Sequence, residues 1–298
     1  MNNTTLYNEL HNKIAAELKV LPDKPEETPD STLHALWHTA AGAPKSAELA
    51  ITADLPELNE QSVSMLHGLV NQRLSGVPLA HLTERQRFMD MEMLAGPQAL
   101  VPRKETELLG RTAVSIASQI YTHQGHATVI DVCTGSGNLA LAIAHHVRGA
   151  HVFGTDISAE AVGLARRNAH HLGLDQNVEF HVGDMLAPFD TPDFLGHVDL
   201  LTCNPPYIQS SKVELMPNEI STHEPSLAFD GGPFGVGIMM RLTQDAQRFL
   251  RKGGWLAFEV GLGQGPMFVK RLEKNPFFTE LTTLQDAAGA VRVILARC

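Results

Sequence analysis

The chain is poor in the residues that staple or anchor unusual folds. It has three cysteines, Cys133, Cys203 and Cys298, an odd number with no CxxC spacing. That excludes a disulfide framework and a zinc ribbon, and suits a reducing, cytoplasmic setting. Long apolar runs are missing too. The longest clean stretch is Leu139–Ala144, far short of the roughly 20 residues a membrane span needs. No apolar segment followed by a small-residue cleavage site stands near the start, so no secretory signal is expected. Basic charge is scarce: 23 Lys and Arg against 33 Asp and Glu leave a formal charge of −10. Residues 1–100 carry 7 basic and 13 acidic groups, which leaves 16 and 20 for the remainder. Neither part offers a broad phosphate-neutralising surface, which disfavours nucleic acid as the main partner.

The remaining composition is that of a globular protein, 43% hydrophobic and 19% charged over 298 residues, long enough for two domains. Leu6, Leu10, Ile14 and Leu18 recur every four residues, one stripe of an amphipathic helix. Pro22, Pro25 and Pro29 end it. Ser31 and Thr32 are candidate caps for a second helix carrying Leu33, Leu36 and Trp37, and Val63, Leu66, Leu69, Val70 and Leu74 mark a third. Residues 1–84 therefore read as a helical domain. Met89-Asp-Met-Glu-Met93 alternates strictly, and with Gly96-Pro97 and Ala99–Val101 it predicts a β-hairpin, the strands lying either side of Gly96-Pro97. Residues 85–104 are taken as that linker.

From residue 105 to 298 strand and helix signals alternate. Strand-like runs fall at Ala127–Cys133, His151–Thr155, Val178–Val182, Val198–Cys203, Trp255–Val260 and Val291–Ala296, with helical stretches at Asn138–Val147, Ala159–Leu172 and Met239–Leu250. That order predicts an α/β domain with a mainly parallel sheet, whose ligands bind beyond the carboxyl ends of the strands.

Val129-Ile-Asp-Val-Cys-Thr-Gly-Ser-Gly137 is a strand entering a glycine turn that opens a helix. Such a turn exposes backbone amides and lets a ligand approach closely. Asp156, nineteen residues past Gly137 at the end of the next strand, is placed to bind the hydroxyls of a ribose. Asp184 follows the third strand and could accept from an adenine amino group. A dinucleotide fingerprint would need GxGxxG, yet Asn138-Leu-Ala follows Gly137 without a third glycine. A nucleoside ligand lacking phosphates fits better.

The fourth strand ends in Asn204-Pro205-Pro206-Tyr207. Prolines fix the backbone and remove amide donors, leaving carbonyls free as acceptors. An Asn oxygen beside a rigid carbonyl pairs with one planar –NH2 group, and a tyrosine ring can stack on the amide or base that carries it. The set suits holding a nitrogen in line with an electrophilic methyl, where orientation supplies most of the catalysis. The bland readings of other features are a half-buried strand face for Met89, Met91 and Met93, and a buried strand position for Cys203. His34 and His38, four apart, lack an HExxH context, so no metal is expected. Glu105 and Glu107 read as first-turn helix acids, and Glu107 is also within the compass of a cofactor's ammonium.

These residues resemble the class I S-adenosylmethionine-dependent methyltransferases of the protein-glutamine group, which act on release factors or ribosomal proteins. Arg73–Pro78, Phe88, Val101–Glu107, Asp131–Gly137, Asp156, Asp184, Asn204–Tyr207, His223–Ala228, Gly231-Gly232, Gly253–Glu259 and Asp286–Arg292 carry the likeness over nearly the whole chain. It implies a Rossmann-like, mostly parallel seven-stranded sheet with an antiparallel strand late in it. It further implies S-adenosylmethionine held by Cys133, Thr134, Gly135, Ser136 and Gly137 at its methionine end, by Asp156 at the ribose, and by Asp184 and Met185 at adenine. Asn204 and the Pro205 carbonyl would orient the target nitrogen, with Pro206 and Tyr207 completing the acceptor site. The expected partner is a protein substrate docking on the helical domain of a monomer. Three departures stand out. Cys133 replaces the usual first glycine, Lys104 stands where proline is common, and Gly232–Ile238 lacks both acids of the usual Gly-x-Asp-Gly-Leu-Asp. Other readings stay open: a small-molecule or carrier-bound amide or amine as acceptor, a non-catalytic module with a decayed site, and, third, a nucleobase.

Overall fold

The computed structural model describes residues 3–298, so Met1 and Asn2, the first residues of the helical domain expected over 1–84, lie outside it. The chain divides into two compact units. One comprises residues 3–97, Val101–Lys104 and Met216–Glu224, the other Gln98–Leu100, Glu105–Leu215 and Pro225–Cys298.

In the first unit, helix α1 (Asn3–Glu17) buries Leu6, Leu10 and Ile14, and Leu18 falls just past its end. Helix α2 (Pro29–Ala40) corrects the expected cap. Thr28, not Ser31 or Thr32, accepts from the Ser31 amide. Pro29 explains the earlier start, since its fixed φ and missing N–H suit the first helical position. After the short α3 (Ala47–Ala50) comes α4 (Glu60–Leu74), capped by Asn59, with Leu66, Leu69 and Val70 buried; α5 (Leu79–Thr83) follows. These helices share one core around Trp37, whose indole donates to Pro56 O at 2.8 Å.

The hairpin also differs from the expectation. Its strands are β1 (Arg85–Phe88) and β2 (Met91–Leu94), paired Phe88 to Met91. Met89 is not a strand residue; it takes a left-handed φ of 54° in the turn, while Met91 and Met93 are buried. Ala99–Val101 forms no strand, because the Val101 amide is spent on the Glu224 carboxylate at 2.9 Å.

Buried charge organises this unit. Lys24 pairs with Glu219 (2.7 Å), Arg73 with Glu219 (2.8 Å) and Glu27 (2.6 Å), and Arg103 with Glu224 (2.6 Å) and Asp23 (3.0 Å). Lys104, at the position where proline is common, pairs with Glu48 at 2.8 Å.

The second unit is a seven-stranded sheet. Its strands are β3 (Ala127–Val132), β4 (Ala150–Asp156), β5 (Val178–Val182), β6 (Val198–Cys203), β7 (Leu250–Glu259), β8 (Glu280–Gln285) and β9 (Val291–Arg297). They lie in the order β5-β4-β3-β6-β7-β9-β8. Only the pairs made by β9, with β7 and β8, are antiparallel. Strand β8 escapes sequence periodicity. Glu280-Leu-Thr-Thr-Leu-Gln is mostly polar because it sits at the sheet edge, exposed to partly buried throughout. Helices α6 (Glu107–Gln124), α7 (Asn138–His146), α8 (Ala159–His171), α11 (Gly237–Phe249) and α12 (Gly265–Leu272) accompany the sheet, with the short α9 (Ser210–Val213) after β6; α10 (Asn218–His223) belongs to the first unit. The core runs through Ile130, Val132, Leu201, Cys203, Leu256, Phe258 and Ile294. Among the described residues no helix is long and apolar enough to cross a membrane.

The chain builds β3, β4 and β5 outward in one direction, then returns to lay β6 on the other side of β3. Strand order thus reverses between β3 and β6, and such a reversal opens a crevice at the carboxyl ends. Val132 pairs with Cys203 there, so the Cys133–Gly137 turn and the Asn204–Tyr207 motif leave the sheet side by side.

Candidate active site

The turn after β3 is held from beneath by a buried acid. Asp131 accepts from the Thr134 hydroxyl at 2.6 Å and from the Thr202 hydroxyl of β6 at 2.7 Å. Burial pushes its carboxyl up to about 7, against the pull of these hydroxyls. Cys133 takes φ 57°, Gly135 φ 54° and Gly137 φ 86°. Left-handed backbone is costly for a residue bearing Cβ, so Cys133 occupies a conformation that glycine would adopt freely. Gly137 is needed for closeness as well, since a Cβ there would stand 2.9 Å from the Phe180 ring. A Cβ on Gly135 would meet nothing within 4 Å.

Asp156, at the end of β4, is tied into this turn. Its carboxylate accepts from the Gly135 amide at 2.9 Å and the Ser158 amide at 3.0 Å. Burial raises its pKa, and the backbone donors counter that. Ser136 is buried, and its hydroxyl has no hydrogen-bond partner among the described residues. Asp184, past β5, is on the surface and both its oxygens face Arg241 of α11, at 2.9 and 3.2 Å. An adenine amino group would share that carboxylate with a guanidinium, a competitor sequence alone did not suggest. Met185 beside it is buried at φ 53°.

Beyond β6, Pro205 and Pro206 are buried, and Asn204 and Tyr207 partly so. Asn204 Nδ2 donates to the Thr106 hydroxyl at 2.9 Å, which turns Oδ1 away from that contact. The Tyr207 hydroxyl lies 3.1 Å from Glu259 and 3.3 Å from Glu105, and accepts from Arg292 at 3.3 Å. Burial, then the charges of Glu259 and Glu105, push the phenol well above its ordinary value, so it stays neutral. Glu259 is itself raised to about 7, by burial and then by Glu105. Its Oε2 has no hydrogen-bond partner among the described residues.

In the sequence Thr106, Glu259 and Arg292 stand out only as members of the longer segments Val101–Glu107, Gly253–Glu259 and Asp286–Arg292. The available signal was a lone acid closing the apolar run Trp255–Phe258, at the carboxyl end of a strand. Glu107, considered for a cofactor ammonium, pairs with Arg111 at 2.8 Å. Cys203 is fully buried in β6. His34 sits 3.2 Å from Ala50 O, His38 is buried, and no group of three or more His, Cys, Asp or Glu among the described residues could hold a metal.

Residues 123–275 match the family model described as a methyltransferase domain. The human methyltransferase 10 domain containing protein shares the fold, with a TM-score of 0.50 at 15% identity, over 68% of this chain and 87% of that one. Fold and family define the chain as a methyltransferase. The release factor glutamine methyltransferase of Gloeobacter violaceus is 34% identical over 80% of this chain and 82% of its own. That of Xylella fastidiosa strain 9a5c is 36% identical over 82% and 85%. The chain belongs to the release factor glutamine methyltransferase family.

Proposed function

We propose that the protein transfers a methyl group from S-adenosylmethionine to the side-chain amide nitrogen of a glutamine in a peptide chain release factor, in the cytoplasm. The observation that carries this is the likeness to curated release factor glutamine methyltransferases over four-fifths of both chains.

The residues present fit the cofactor. Gly135 faces open space, the buried Ser136 hydroxyl lacks a partner among the described residues, and Asp156 presents a carboxylate beside them. Cys133, Thr134, Gly135, Ser136 and Gly137 would line the methionine end, Asp156 would take the ribose hydroxyls, and Asp184 and Met185 would flank adenine. When bound, S-adenosylmethionine supplies a methyl on a positive sulfonium that becomes neutral as the methyl leaves.

The chain's own residues do the positioning. Asn204 Oδ1 and the Pro205 carbonyl accept the two N–H bonds of the target amide and fix the nitrogen's direction. Tyr207, neutral and tethered through its hydroxyl, covers the amide plane. The amide proton needs no strong base at Asn204 and leaves to water after transfer, so orientation supplies most of the rate.

The test is transfer of labelled methyl from S-adenosylmethionine to purified release factor, with the product mapped by mass spectrometry. Asn204→Ala should abolish turnover with cofactor affinity nearly intact, and Asp156→Ala should weaken cofactor binding. Label confined to small molecules, with the protein acceptor untouched, would sink the reading.

A further inference from the structure

Two turns converge on Tyr207, and both are built to touch its backbone or ring. In Gly231-Gly-Pro-Phe-Gly235, a Cβ on Gly231 would lie 2.6 Å from Pro206 O and 3.0 Å from Tyr207 Cα, and one on Gly235 would clash with Tyr207 O. In Gly261-Leu-Gly-Gln264, a Cβ on Gly261 would lie 2.9 Å from Tyr207 Cδ2. Glycine is required at each contact because the backbones approach so closely.

Gln264 joins the two turns. Its Nε2 donates to Tyr207 O and to Gly235 O, each at 3.0 Å, and its Oε1 accepts from the Gly261 amide at 2.9 Å. Three backbone groups from three segments thus share one side chain. The Gly231 amide donates to Ile208 O at 2.8 Å and the Ser210 amide to Gly232 O at 3.1 Å, which ties the first turn to the chain leaving Tyr207.

Each braced turn holds out one large apolar side chain. Phe234 is 76% exposed and Leu262 70% exposed. Gly231–Gly235 and Gly261–Gln264 contain no charged residue, and the adjoining Asp230 carboxylate is taken up by the Gly232 amide at 2.9 Å and the Ser210 hydroxyl at 2.7 Å. Large apolar side chains held in water on rigid turns give up little conformational freedom on contact, and shed water favourably when covered. A charged ligand would gain nothing from them. An uncharged apolar segment would.

We propose that Phe234 and Leu262 form the rim on which an acceptor protein docks, gripping apolar, uncharged residues beside the glutamine that is methylated. This rests on the methyl-transfer reading above and adds the chemistry of the partner's contact surface. Docking at the two turns reaches Asn204–Tyr207 directly, because Gln264 makes the turns and Tyr207 one unit.

The test is steady-state kinetics with purified release factor for Phe234→Ala, Leu262→Ala and the double variant, alongside Phe234→Leu and direct titration with S-adenosylmethionine. Removing a buried Phe or Leu contact corresponds to a rise in acceptor KM of about tenfold or more for each single change. The double variant should lose more, Phe234→Leu should recover most of the loss, and cofactor affinity should stay at the wild-type value. Acceptor KM unchanged in the double variant, with wild-type enzyme methylating the release factor normally, would overturn the rim alone. A wild-type enzyme that binds cofactor and leaves the release factor unlabelled would overturn the methyl-transfer reading, and the rim with it.

Discussion

Asn204 Nδ2 donates to Thr106 Oγ1 at 2.9 Å, across 98 positions of sequence. The contact settles which end of the Asn204 amide is left for another partner. With its nitrogen held by Thr106, the oxygen faces away as an acceptor.

Thr106→Val keeps the shape and removes the hydroxyl. The freed amide then turns either way, so kcat should fall by roughly tenfold, the cost of one unsatisfied buried hydrogen bond. Thr106→Ser should restore it. Titration with S-adenosylmethionine should show unchanged affinity in both, and a loss of affinity equal to the loss in kcat would contradict the role.

Cys133 sits at φ 57°, where a Cβ is strained. Cys133→Gly should preserve cofactor binding and raise stability by up to about 1 kcal/mol, the cost of the left-handed conformation less the added chain entropy. Cys133→Val should do the opposite, since β-branching worsens the clash. Calorimetric titration and thermal melts on the pair measure both effects, and equal behaviour of Gly and Val would refute the strain.

Glu219 holds Lys24 and Arg73 together in a buried site. Glu219→Ala leaves both cations short of a partner. Destabilisation of about 3 kcal/mol is expected, as for breaking a buried pair from one side. Denaturant unfolding followed through Trp37 fluorescence, in a Trp255→Phe background, reports on this unit alone. A loss under about 1 kcal/mol would mean the network is solvated.

Glu259 has its carboxyl raised from 4.5 to about 7 by burial and by Glu105. An acid kept neutral by the fold contributes fully below its unfolded pKa. That contribution is lost as pH rises from about 4.5 through about 7. Glu259→Gln cannot ionise and escapes the loss. Its melting temperature relative to wild type should therefore be lower or equal near pH 5 and rise by about pH 8. A gap that ignores pH across that range would show that Glu259 is already charged.

Much of this molecule is written locally. The four-residue stripe of α1, the strand entering Cys133–Gly137, Asp156 closing the next strand and Asn204–Tyr207 closing the fourth are all readable, because periodicity and turn chemistry act between near neighbours. Local signals failed where context overrode them. Pro29 moved the start of α2 to a Thr28 cap, Met89 became a turn, and the polar edge strand β8 gave no apolar pattern.

The sequence by itself determined the order of strands and helices, the glycine turn, the strand-end carboxylates and the Asn-Pro-Pro-Tyr motif, since each depends on residues a few positions apart. Only the tertiary structure decided that β6 lies beside β3 and β7 beside β6. That order brings Thr202 to Asp131, Thr106 to Asn204, and Glu259, Arg292 and Gln264 to Tyr207. These partners lie between 52 and 98 positions apart, and no local propensity encodes a meeting over that distance. It follows from how a buried sheet satisfies all its strands at once.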